Sequence, residues 1–396
     1  MKRLIVSIGL FFLSLAFTQC RQNVSDSSDI IIINHQEKVL TGEDSEYFLS
    51  VTLLDSLIFL EHVYSWKNQQ SSKIVIASQY GTGNICVSYD LGETFYLVYQ
   101  SSKERWKGCV TTESGRHLLW DSVSLKICIF DDSWNLVNKV ATGTYCWLGS
   151  WSIAEYNHVI IYGEYTCNVV DSLYVWRSDD DGDHWKRGFS QSSRGAKGNN
   201  IRHFHTAQPD PYFPGTWYLS SGDEQEECKI WKSEDDGISW INVTDPDPEG
   251  TDINKVHRYT AISFDENYLY WGTDDKMDGS SKFVRAERTE PLTVQVINTL
   301  GNLERCLIPT PDGLVFISER DAIVNGKLLD FTIHISPDEF NIEELYRISD
   351  NDSAKTAFSY SHSSIASDGD IFFSHFDGTL IFPGHLGMLL WKLYKK

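Results

Sequence analysis

Short apolar runs separated by polar turn residues extend along most of the chain. Each run is bounded by Gly, Asp, Asn or Pro, the residues that commonly end strands. No amphipathic segment longer than a couple of helical turns lies between them. The pattern therefore predicts an all-β chain, with strands that include residues 116–120, 126–130, 135–140, 268–271, 314–317 and 371–373.

One eight-residue pattern occurs three times, as SYDLGETF at 88–95, SDDDGDHW at 178–185 and SEDDGISW at 233–240. In each copy a Ser and an Asp can hydrogen-bond within a tight turn, and the Gly can adopt a backbone angle that other residues disfavour. The copies lie 90 and 55 residues apart, which fits a structural repeat with one degenerate unit between the first two copies. In that unit Asp131, Asp132 and Ser133 stand at the turn.

These segments resemble the Asp box, Ser-x-Asp-x-Gly-x-Thr-Trp, of sialidases and many other β-propellers. The resemblance implies that each box is a hairpin between the two outer strands of a blade. It also implies that Phe95, Trp185 and Trp240 are buried between neighbouring sheets. No Arg-Ile-Pro sequence precedes Ser88, which separates this chain from the sialidases themselves.

Counting repeat units from residue 73 predicts a seven-bladed β-propeller, with six or eight blades as alternatives. The units span residues 73–104, 105–143, 144–198, 199–250, 251–300, 301–351 and 352–396. Residues 30–72 carry further strand-like runs, such as 57–60, that could complete the first or the last blade. Closing the ring would remove exposed sheet edges. We therefore expect a single propeller domain over residues 30–396.

The N-terminus predicts export. Met1-Lys2-Arg3 is followed by an apolar run over residues 4–17. A short basic start before such a run is typical of a signal peptide, here in residues 1–20. Cys20 resembles the lipid-accepting cysteine of bacterial lipoproteins, but Gln19 stands where a small residue is usual, so plain secretion is the alternative. Polar residues 21–29 are expected to form a tether. A periplasmic, cell-surface or secreted protein is expected, with a lipid on Cys20 as the sole membrane attachment.

The formal net charge of -21 argues against a nucleic-acid partner, because binding a polyanion requires a clustered positive field. Any anionic ligand must instead be met by local arginines. Apart from Cys20 the chain has seven cysteines, and Cys86, Cys128 and Cys306 lie within apolar runs where a small buried side chain is expected. No Cys-x-x-Cys pair is present, so a structural zinc site is not expected.

Candidate binding residues follow from propeller geometry. The innermost strand of each blade lines the central channel, so equivalent positions in successive units converge. The predicted inner strands are 201–207, 256–262, 303–307 and 358–363, and they place Arg202, Arg258 and Arg305 at intervals of 56 and 47 residues. Three arginines in one basin would bind a carboxylate or sulfate through bidentate hydrogen bonds. Alternatively, each pairs with an acidic neighbour between blades.

Candidate catalytic residues lie beside these arginines. His203 and His205 are two residues apart on a predicted strand, so their side chains share a face. Joined by His257 or His362, they could bind a divalent cation or provide a general base. A base beside an arginine-held uronate, with Tyr259 or a second histidine as acid, would suit a polysaccharide lyase, by analogy with propeller lyases that use histidine and tyrosine. Alternatively, the histidines only hydrogen-bond to adjacent blades.

Two carboxylates complete the predicted site. Asp223 and Asp274 follow the second strands of their units, in loops that can face the channel, and are candidates for acid–base work or cation binding. Residues 200–275, with Arg202-His203-Phe204-His205 and the run from Tyr270 to Asp274, resemble a group of sialidase-like repeat proteins encoded near bacterial polysaccharide genes. That resemblance implies a glycan context. The predicted substrate-binding residues are Arg202, His257, Arg258, Arg305, Asp223 and Asp274.

Three functions remain open from the sequence. The leading hypothesis is an exported carbohydrate-active enzyme, a lyase or glycosidase, that acts on a uronate- or sialate-type glycan. The second is a non-catalytic propeller that binds glycan or protein at the cell surface. The third is a hydrolase with paired carboxylates from Asp223, Asp274 and Glu304, which would have to lie at catalytic separation across the channel.

Overall fold

In the computed structural model, the described part of the chain folds into seven antiparallel sheets of four or five strands and one two-stranded hairpin. The first sixteen strands are β1 (Ile30–Ile31), β2 (His35–Val39), β3 (Tyr47–Asp55), β4 (Leu57–Ser65), β5 (Gln70–Gln79), β6 (Ile85–Ser88), β7 (Phe95–Tyr99), β8 (Trp106–Thr111), β9 (His117–Asp121), β10 (Lys126–Phe130), β11 (Leu136–Ala141), β12 (Ile153–Tyr156), β13 (Val159–Gly163), β14 (Ser172–Ser178), β15 (Lys186–Ser192) and β16 (Phe204–Pro209). The others are β17 (Trp217–Ser221), β18 (Lys229–Ser233), β19 (Ile241–Asn242), β20 (Ser263–Phe264), β21 (Tyr268–Gly272), β22 (Lys282–Glu287), β23 (Thr293–Thr299), β24 (Leu303–Thr310), β25 (Gly313–Glu319), β26 (Ile323–Val324), β27 (Lys327–Leu328), β28 (Phe331–Ser336), β29 (Glu343–Ile348), β30 (Ser364–Ile365), β31 (Ile371–Phe376) and β32 (Gly387–Lys395).

The sheets are arranged as the blades of a β-propeller. Sheet 1 has the order β1-β7-β6-β5-β4, sheet 2 β11-β10-β9-β8, sheet 3 β12-β13-β14-β15, sheet 4 β16-β17-β18-β19, sheet 5 β20-β21-β22-β23, sheet 6 β24-β25-β28-β29 and sheet 7 β2-β3-β32-β31-β30. The hairpin β26-β27 lies in the chain between β25 and β28. The predicted all-β propeller is confirmed, and the sheets seen in the described residues fall within the predicted range of six to eight units.

The two ends of the chain meet in sheet 7. Strand β3 pairs with β32 over nine residues, from Tyr47 opposite Lys395 to Asp55 opposite Gly387. Strand β4 is the inner strand of sheet 1, and β1 adds to the outer edge of the same sheet. The strands before residue 73 therefore complete both the first and the last sheet.

The structure describes the strands given above and, with their side chains, residues 74–79, 81–90, 92–106, 108–141, 152–166, 170–193, 201–223, 227–248, 257–259, 262–273, 282–298, 314–315, 332–336 and 342–347. The predicted signal peptide, Cys20 and the tether at 21–29 lie outside the described residues. No helix within the described ranges is long and apolar enough to cross a membrane.

The core lies between consecutive sheets. Sheets 1 and 2 enclose a cluster around Val87, Trp106 and Phe130, and sheets 3 and 4 enclose one around Leu173, Phe204 and Trp217. The cluster between sheets 4 and 5 contains, among others, Tyr218, Tyr259, Leu269, Trp271 and Val284. Flat aromatic rings suit this packing, because two twisted sheets that pack face to face leave a layer about 10 Å thick.

The described cysteines behave as core residues. Cys86, Cys109, Cys128 and Cys228 are buried and not disulfide-bonded. Burial raises the pKa of the Cys86 thiol to about 12 and that of Cys128 to about 11. Both therefore remain protonated, as expected for the small buried side chains predicted at these two positions. The side chain of Cys306 lies outside the described residues.

The three segments that resemble the Asp box form the hairpins β6-β7, β14-β15 and β18-β19, each between the third and fourth strands of its sheet. In the third turn the Ser233 hydroxyl donates to Asp235 Oδ1 at 2.8 Å and accepts from the Gly237 amide at 2.8 Å. Asp235 Oδ1 also accepts from the Ser239 amide at 2.8 Å. The other two turns repeat these bonds, so the turns are held by their own side chains.

The closing aromatics of these turns pack as predicted at two positions of three. Phe95 and Trp240 are buried. Trp185 is only partly buried, against the prediction, because its indole lies across Tyr162 at the edge of the cluster between sheets 2 and 3. Its Nε1 still donates to the Gly182 carbonyl at 2.9 Å, as Trp240 Nε1 does to Gly237.

We expect Asp235→Ala to lower the free energy of unfolding by about 1–3 kcal/mol, because the Ser233 hydroxyl and the Ser239 amide lose their common acceptor. Urea denaturation measures this effect. Glu234→Ala is the control, since the Glu234 side chain is 65% exposed and its partner Lys232 also pairs with Glu290, so its loss should cost less than about 1 kcal/mol. A folded Asp235→Ala protein that is as stable as the parent would contradict this role for the turn.

Two predicted inner strands need correction. Residues 257–259 are not in a strand, because the inner strand of sheet 5 is the short β20, Ser263–Phe264. In sheet 4 the inner strand runs over Phe204–Pro209, so residues 202–203 precede it. The inner strand predicted at 303–307 is confirmed within β24. Residues 358–363, with His362, lie outside the described residues.

Candidate functional site

Four side chains from segments of sheets 4 and 5 or next to them contact the Asp223 carboxylate: Arg202, His203, His205 and Arg258. Together with Asp223 they are called the Asp223 site. Asp223 follows β17, and the β16–β17 pairing that sets Phe204 opposite Ser221 brings its loop beside the histidines. Arg258 reaches the same carboxylate from the segment that leads into sheet 5. Neighbouring sheets therefore share one ionic centre.

A glycine fixes the approach of this carboxylate. Gly222 has a φ of +86°, and a Cβ atom there would lie 2.1 Å from the carbonyl carbon of Glu227. Its amide donates to the His203 carbonyl at 3.0 Å. The next amide, that of Asp223, donates to Glu227 Oε2 at 3.3 Å. A residue with a side chain would have to push the turn apart and move Asp223.

The Asp223 carboxylate contacts two guanidinium groups. Arg202 Nη1 donates to Oδ2 at 2.6 Å, and Arg258 Nη2 lies 3.5 Å from Oδ1. Burial alone would raise the pKa of the Asp223 carboxyl, but hydrogen bonds and charge interactions with His203 and His205 outweigh it and hold that pKa well below its usual range. Asp223 is therefore ionised.

The two imidazoles lie against each other and against Asp223. Their Nε2 atoms are 2.8 Å apart, and Asp223 Oδ1 lies 3.3 Å from His203 Nε2 and 3.2 Å from His205 Nε2. His203 and His205 are 1% and 2% exposed. Burial lowers the pKa of His203, and the opposing hydrogen bond with Asp223 does not offset this effect. His203 is therefore neutral near pH 7.

The other ring nitrogens face backbone carbonyls. His205 Nδ1 lies 2.9 Å from the Tyr259 oxygen, which also accepts from the Ser220 hydroxyl at 3.0 Å. His203 Nδ1 lies 3.4 Å from the Thr166 oxygen. Both rings are thus oriented by main-chain acceptors from the adjoining segments.

Tyr165 and Thr166 belong to this site but were missed in the sequence. The Tyr165 ring stacks on His203 with a centroid separation of 3.8 Å and an interplanar angle of 17°. Both residues lie just after β13, the second strand of sheet 3, as Asp223 lies just after β17. Their equivalence to Asp223 and Asp274 in the repeat was the signal that could have identified them.

Of the other predicted residues, Tyr259 and His257 are described by the structure. The Tyr259 ring is fully buried, stacks on Trp271 at 5.1 Å, and has its pKa raised well above the usual range by that burial. Its hydroxyl therefore lies in the core, which does not favour the acid role, and its carbonyl contributes to the site instead. His257 is also fully buried. Asp274 and the side chains of Arg305 and Glu304 lie outside the described residues.

The charged groups of the Asp223 site differ in their exposure. Two guanidinium groups share the Asp223 carboxylate, and the Glu227 carboxylate lies beside it, with Oε2 3.3 Å from the Asp223 amide nitrogen. The Arg202 side chain is 39% exposed and that of Arg258 is 19% exposed, whereas Asp223 is 12% exposed. Arg258 thus pairs with an acidic residue of the neighbouring sheet, as the alternative prediction held, whereas Arg202 pairs with Asp223 within sheet 4.

The fold has relatives among solved structures. An oligogalacturonate lyase from Vibrio parahaemolyticus superposes with a TM-score of 0.58 at 11% identity, covering 92% of this chain and 98% of that chain. A streptogramin B lyase gives 0.55 at 12% identity, with 92% and 98% coverage. YCF48 from Cyanidioschyzon merolae gives 0.51 at 10% identity, with 90% and 98% coverage. At these identities the likeness shows the β-propeller fold.

Comparison of the sequence with protein-family models and with curated proteins gives no match.

Proposed function

We propose that this chain is an exported carbohydrate-active enzyme that binds an acidic sugar at the Asp223 site and cleaves its chain as a lyase. The observation that carries this proposal is the meeting of two arginines and two imidazoles from neighbouring sheets at one carboxylate. Export rests on the signal-like segment before Cys20. The glycan context rests on the resemblance of residues 200–275 to sialidase-like proteins of polysaccharide gene clusters.

The charge of the site supports an anionic ligand. The Arg202 side chain is 39% exposed, and a sugar carboxylate can accept two parallel hydrogen bonds from a guanidinium group. The protein as a whole carries a formal charge of -21 and repels anions elsewhere. The exposed Arg202 guanidinium therefore offers a position at which an acidic sugar can bind.

The arrangement of groups supports elimination. An imidazole of the pair takes the proton from the carbon next to the bound carboxylate, and the C–H electrons form a carbon–carbon double bond. The glycosidic C–O bond on the next carbon breaks, and the leaving oxygen takes up a proton from water, while the imidazolium returns the abstracted proton to water. Arginine pairing with the carboxylate stabilises the negative charge that develops during this step. The occurrence of an oligogalacturonate lyase among proteins of the same fold agrees with this chemistry.

Burial of the imidazoles favours a second candidate function. His203 and His205 are 1% and 2% exposed, so a ligand held by the arginines can bind without touching either ring. In that case the chain is a non-catalytic propeller that binds glycan or protein at the cell surface. A paired-carboxylate hydrolase has less support, because both oxygens of Asp223 are already engaged by cationic or imidazole groups.

A lyase assay separates the two functions. The purified protein is incubated with uronate-containing polysaccharides while the absorbance of the unsaturated product is followed. An enzyme gives a rising absorbance, whereas a binding protein gives calorimetric binding and no product. Absence of both across polymers of galacturonate, glucuronate and mannuronate would overturn the acidic-glycan proposal.

We expect Arg258→Lys to weaken binding of the acidic glycan on the order of tenfold although it conserves the charge, because the planar two-point contact is lost. Isothermal titration of the variant against the parent measures the change. Arg285→Lys in sheet 5 is the control, since Arg285 bonds to Gln295 at the surface. Equal affinity of Arg258→Lys and the parent for every acidic glycan would contradict the assignment.

A further inference from the structure

Three potential ligand atoms converge inside the Asp223 site. The two Nε2 atoms and Asp223 Oδ1 are separated by 2.8, 3.2 and 3.3 Å. Atoms bound to a common ion at about 2.0–2.2 Å lie about 2.8–3.5 Å apart when the angles between them are about 85–110°. The three atoms therefore already have the spacing of neighbouring ligands around one ion.

The backbone carbonyls set the tautomers that such a site needs. A carbonyl oxygen only accepts, so the ring nitrogen that donates to Tyr259 or Thr166 is the protonated Nδ1. In these tautomers both Nε2 atoms present lone pairs to an ionised carboxylate, whereas hydrogen bonds from Nε2 to Asp223 in the ion-free site belong to the other tautomer. Three electron-pair donors at hydrogen-bonding distance repel one another unless a proton or a cation lies between them.

We propose that His203, His205 and Asp223 bind one divalent first-row transition-metal ion, through the two Nε2 atoms and a carboxylate oxygen. Histidine nitrogens select for ions of the zinc type, and a three-residue set leaves positions open for water or a ligand. This inference rests on the ligand geometry and does not depend on the proposed function, since a binding protein can hold the same ion.

The surroundings orient the proposed ligands. Metal-binding histidines commonly donate their other N–H to a backbone carbonyl, as these two do. Tyr165 stacks on the His203 ring, Arg202 holds Asp223 Oδ2 at 2.6 Å, and Gly222 allows the turn that presents the carboxylate. The ring planes and the carboxylate are thus positioned before the ion arrives, which reduces the cost of binding it.

The two arginines affect the charge around the proposed ion. A dication beside Arg202 and Arg258 raises the local positive charge, which a bound anion would offset. A ligand carboxylate can bridge the ion and the guanidinium groups. In the loaded protein the imidazole lone pairs serve as ligands, so the proton abstraction by an imidazole proposed above applies to the ion-free protein.

Metal binding is measured on the chelator-treated protein by calorimetry, with Zn²⁺ and Mn²⁺ as probes and with Mg²⁺ and Ca²⁺ for comparison. We expect one Zn²⁺ per chain, bound at least tenfold more tightly than Mg²⁺. His203→Gln and His205→Gln should each lower the Zn²⁺ affinity by at least a hundredfold. His184→Gln is the matched control, because His184 lies in an exposed turn beside Asp180 and should leave the affinity unchanged.

If the histidine variants do not fold, a spectroscopic measurement on the parent protein shows whether two imidazoles bind the ion. Cu²⁺ serves as the probe, and nitrogen hyperfine splitting from two imidazoles is expected in its electron paramagnetic resonance spectrum. The proposal is overturned if no stoichiometric ion binds, if the splitting is absent, or if folded His203→Gln and His205→Gln bind Zn²⁺ like the parent. None of these measurements uses a glycan, so they are independent of the lyase assay.

Discussion

Asp223→Ala will lower the free energy of unfolding by about 3 kcal/mol. The substitution removes the carboxylate that Arg202 and Arg258 share and leaves two guanidinium groups together beside buried imidazoles. Loss of one partner from a buried charge pair usually costs about 3–5 kcal/mol, and the lower end applies here because Arg202 keeps contact with water. Urea denaturation of the variant and the parent measures the difference.

Added anions supply a second readout of the same variant. Sulfate or free uronate can occupy the space of the lost carboxylate, and a ligand that binds the folded state stabilises it. Asp223→Ala should therefore regain stability with anion concentration more steeply than the parent does. Asp179→Ala is the control, because the Asp179 side chain, which pairs with Arg177, is 46% exposed, and the loss of so exposed a carboxylate should cost at most about 1 kcal/mol. Equal stability of Asp223→Ala and the parent would show that the arginines do not depend on this carboxylate.

Arg288→Met will cost about 3–5 kcal/mol, because it leaves Asp210 buried without its counter-ion. Arg288 joins sheets 4 and 5: its Nε donates to Asp210 Oδ2 at 2.7 Å, and its Nη2 donates to the Asp265 carbonyl at 2.7 Å. Asp210 is fully buried. Arg285→Met in the same sheet is the control, since that guanidinium bonds to Gln295 at the surface.

The pH dependence of the Arg288→Met variant tests this cause. Burial already raises the pKa of Asp210, and Arg288 opposes that rise. Without the guanidinium the folded-state pKa rises further above the unfolded value, so the folded state holds its proton more tightly and stability falls as the pH rises between the two values. The defect should therefore be smaller near pH 4 than near pH 8. A defect that does not change with pH would indicate lost packing instead of an unpaired charge.

The sequence predicted the propeller because the features that specify it are local. The turns at 88–95, 178–185 and 233–240 are held by hydrogen bonds between residues at most four positions apart, so the sequence pattern alone identifies them. The spacing of the units then followed from the apolar runs. The inner strand of sheet 5 was placed wrongly because an apolar and aromatic run, residues 256–262, resembles a strand although residues 257–259 lie outside one.

The site was predicted in part. Arg202, His203, His205, Asp223 and Arg258 were all named as candidates, since alternation along a strand and the repeat interval bring such positions together. Their convergence on Asp223 was not predicted, because it depends on the turn at Gly222 and on contacts between sheets. Tyr259 was expected to act through its hydroxyl, but the stack on Trp271 turns the ring into the core. No local sequence pattern shows whether the Tyr259 ring points into the core or toward the site.

The pairing of β3 with β32 ties the folding of this protein to the order in which its chain is made. Residues 47–55 are synthesised early, yet their partner, residues 387–395, emerges hundreds of residues later. Until then the early strand has an open edge that can pair with another molecule. A nascent chain released before residue 387 cannot complete sheet 7 and keeps that edge exposed. We therefore expect chains that lack residues 387–395 to aggregate or to be proteolysed more readily than chains in which β32 covers the edge of β3.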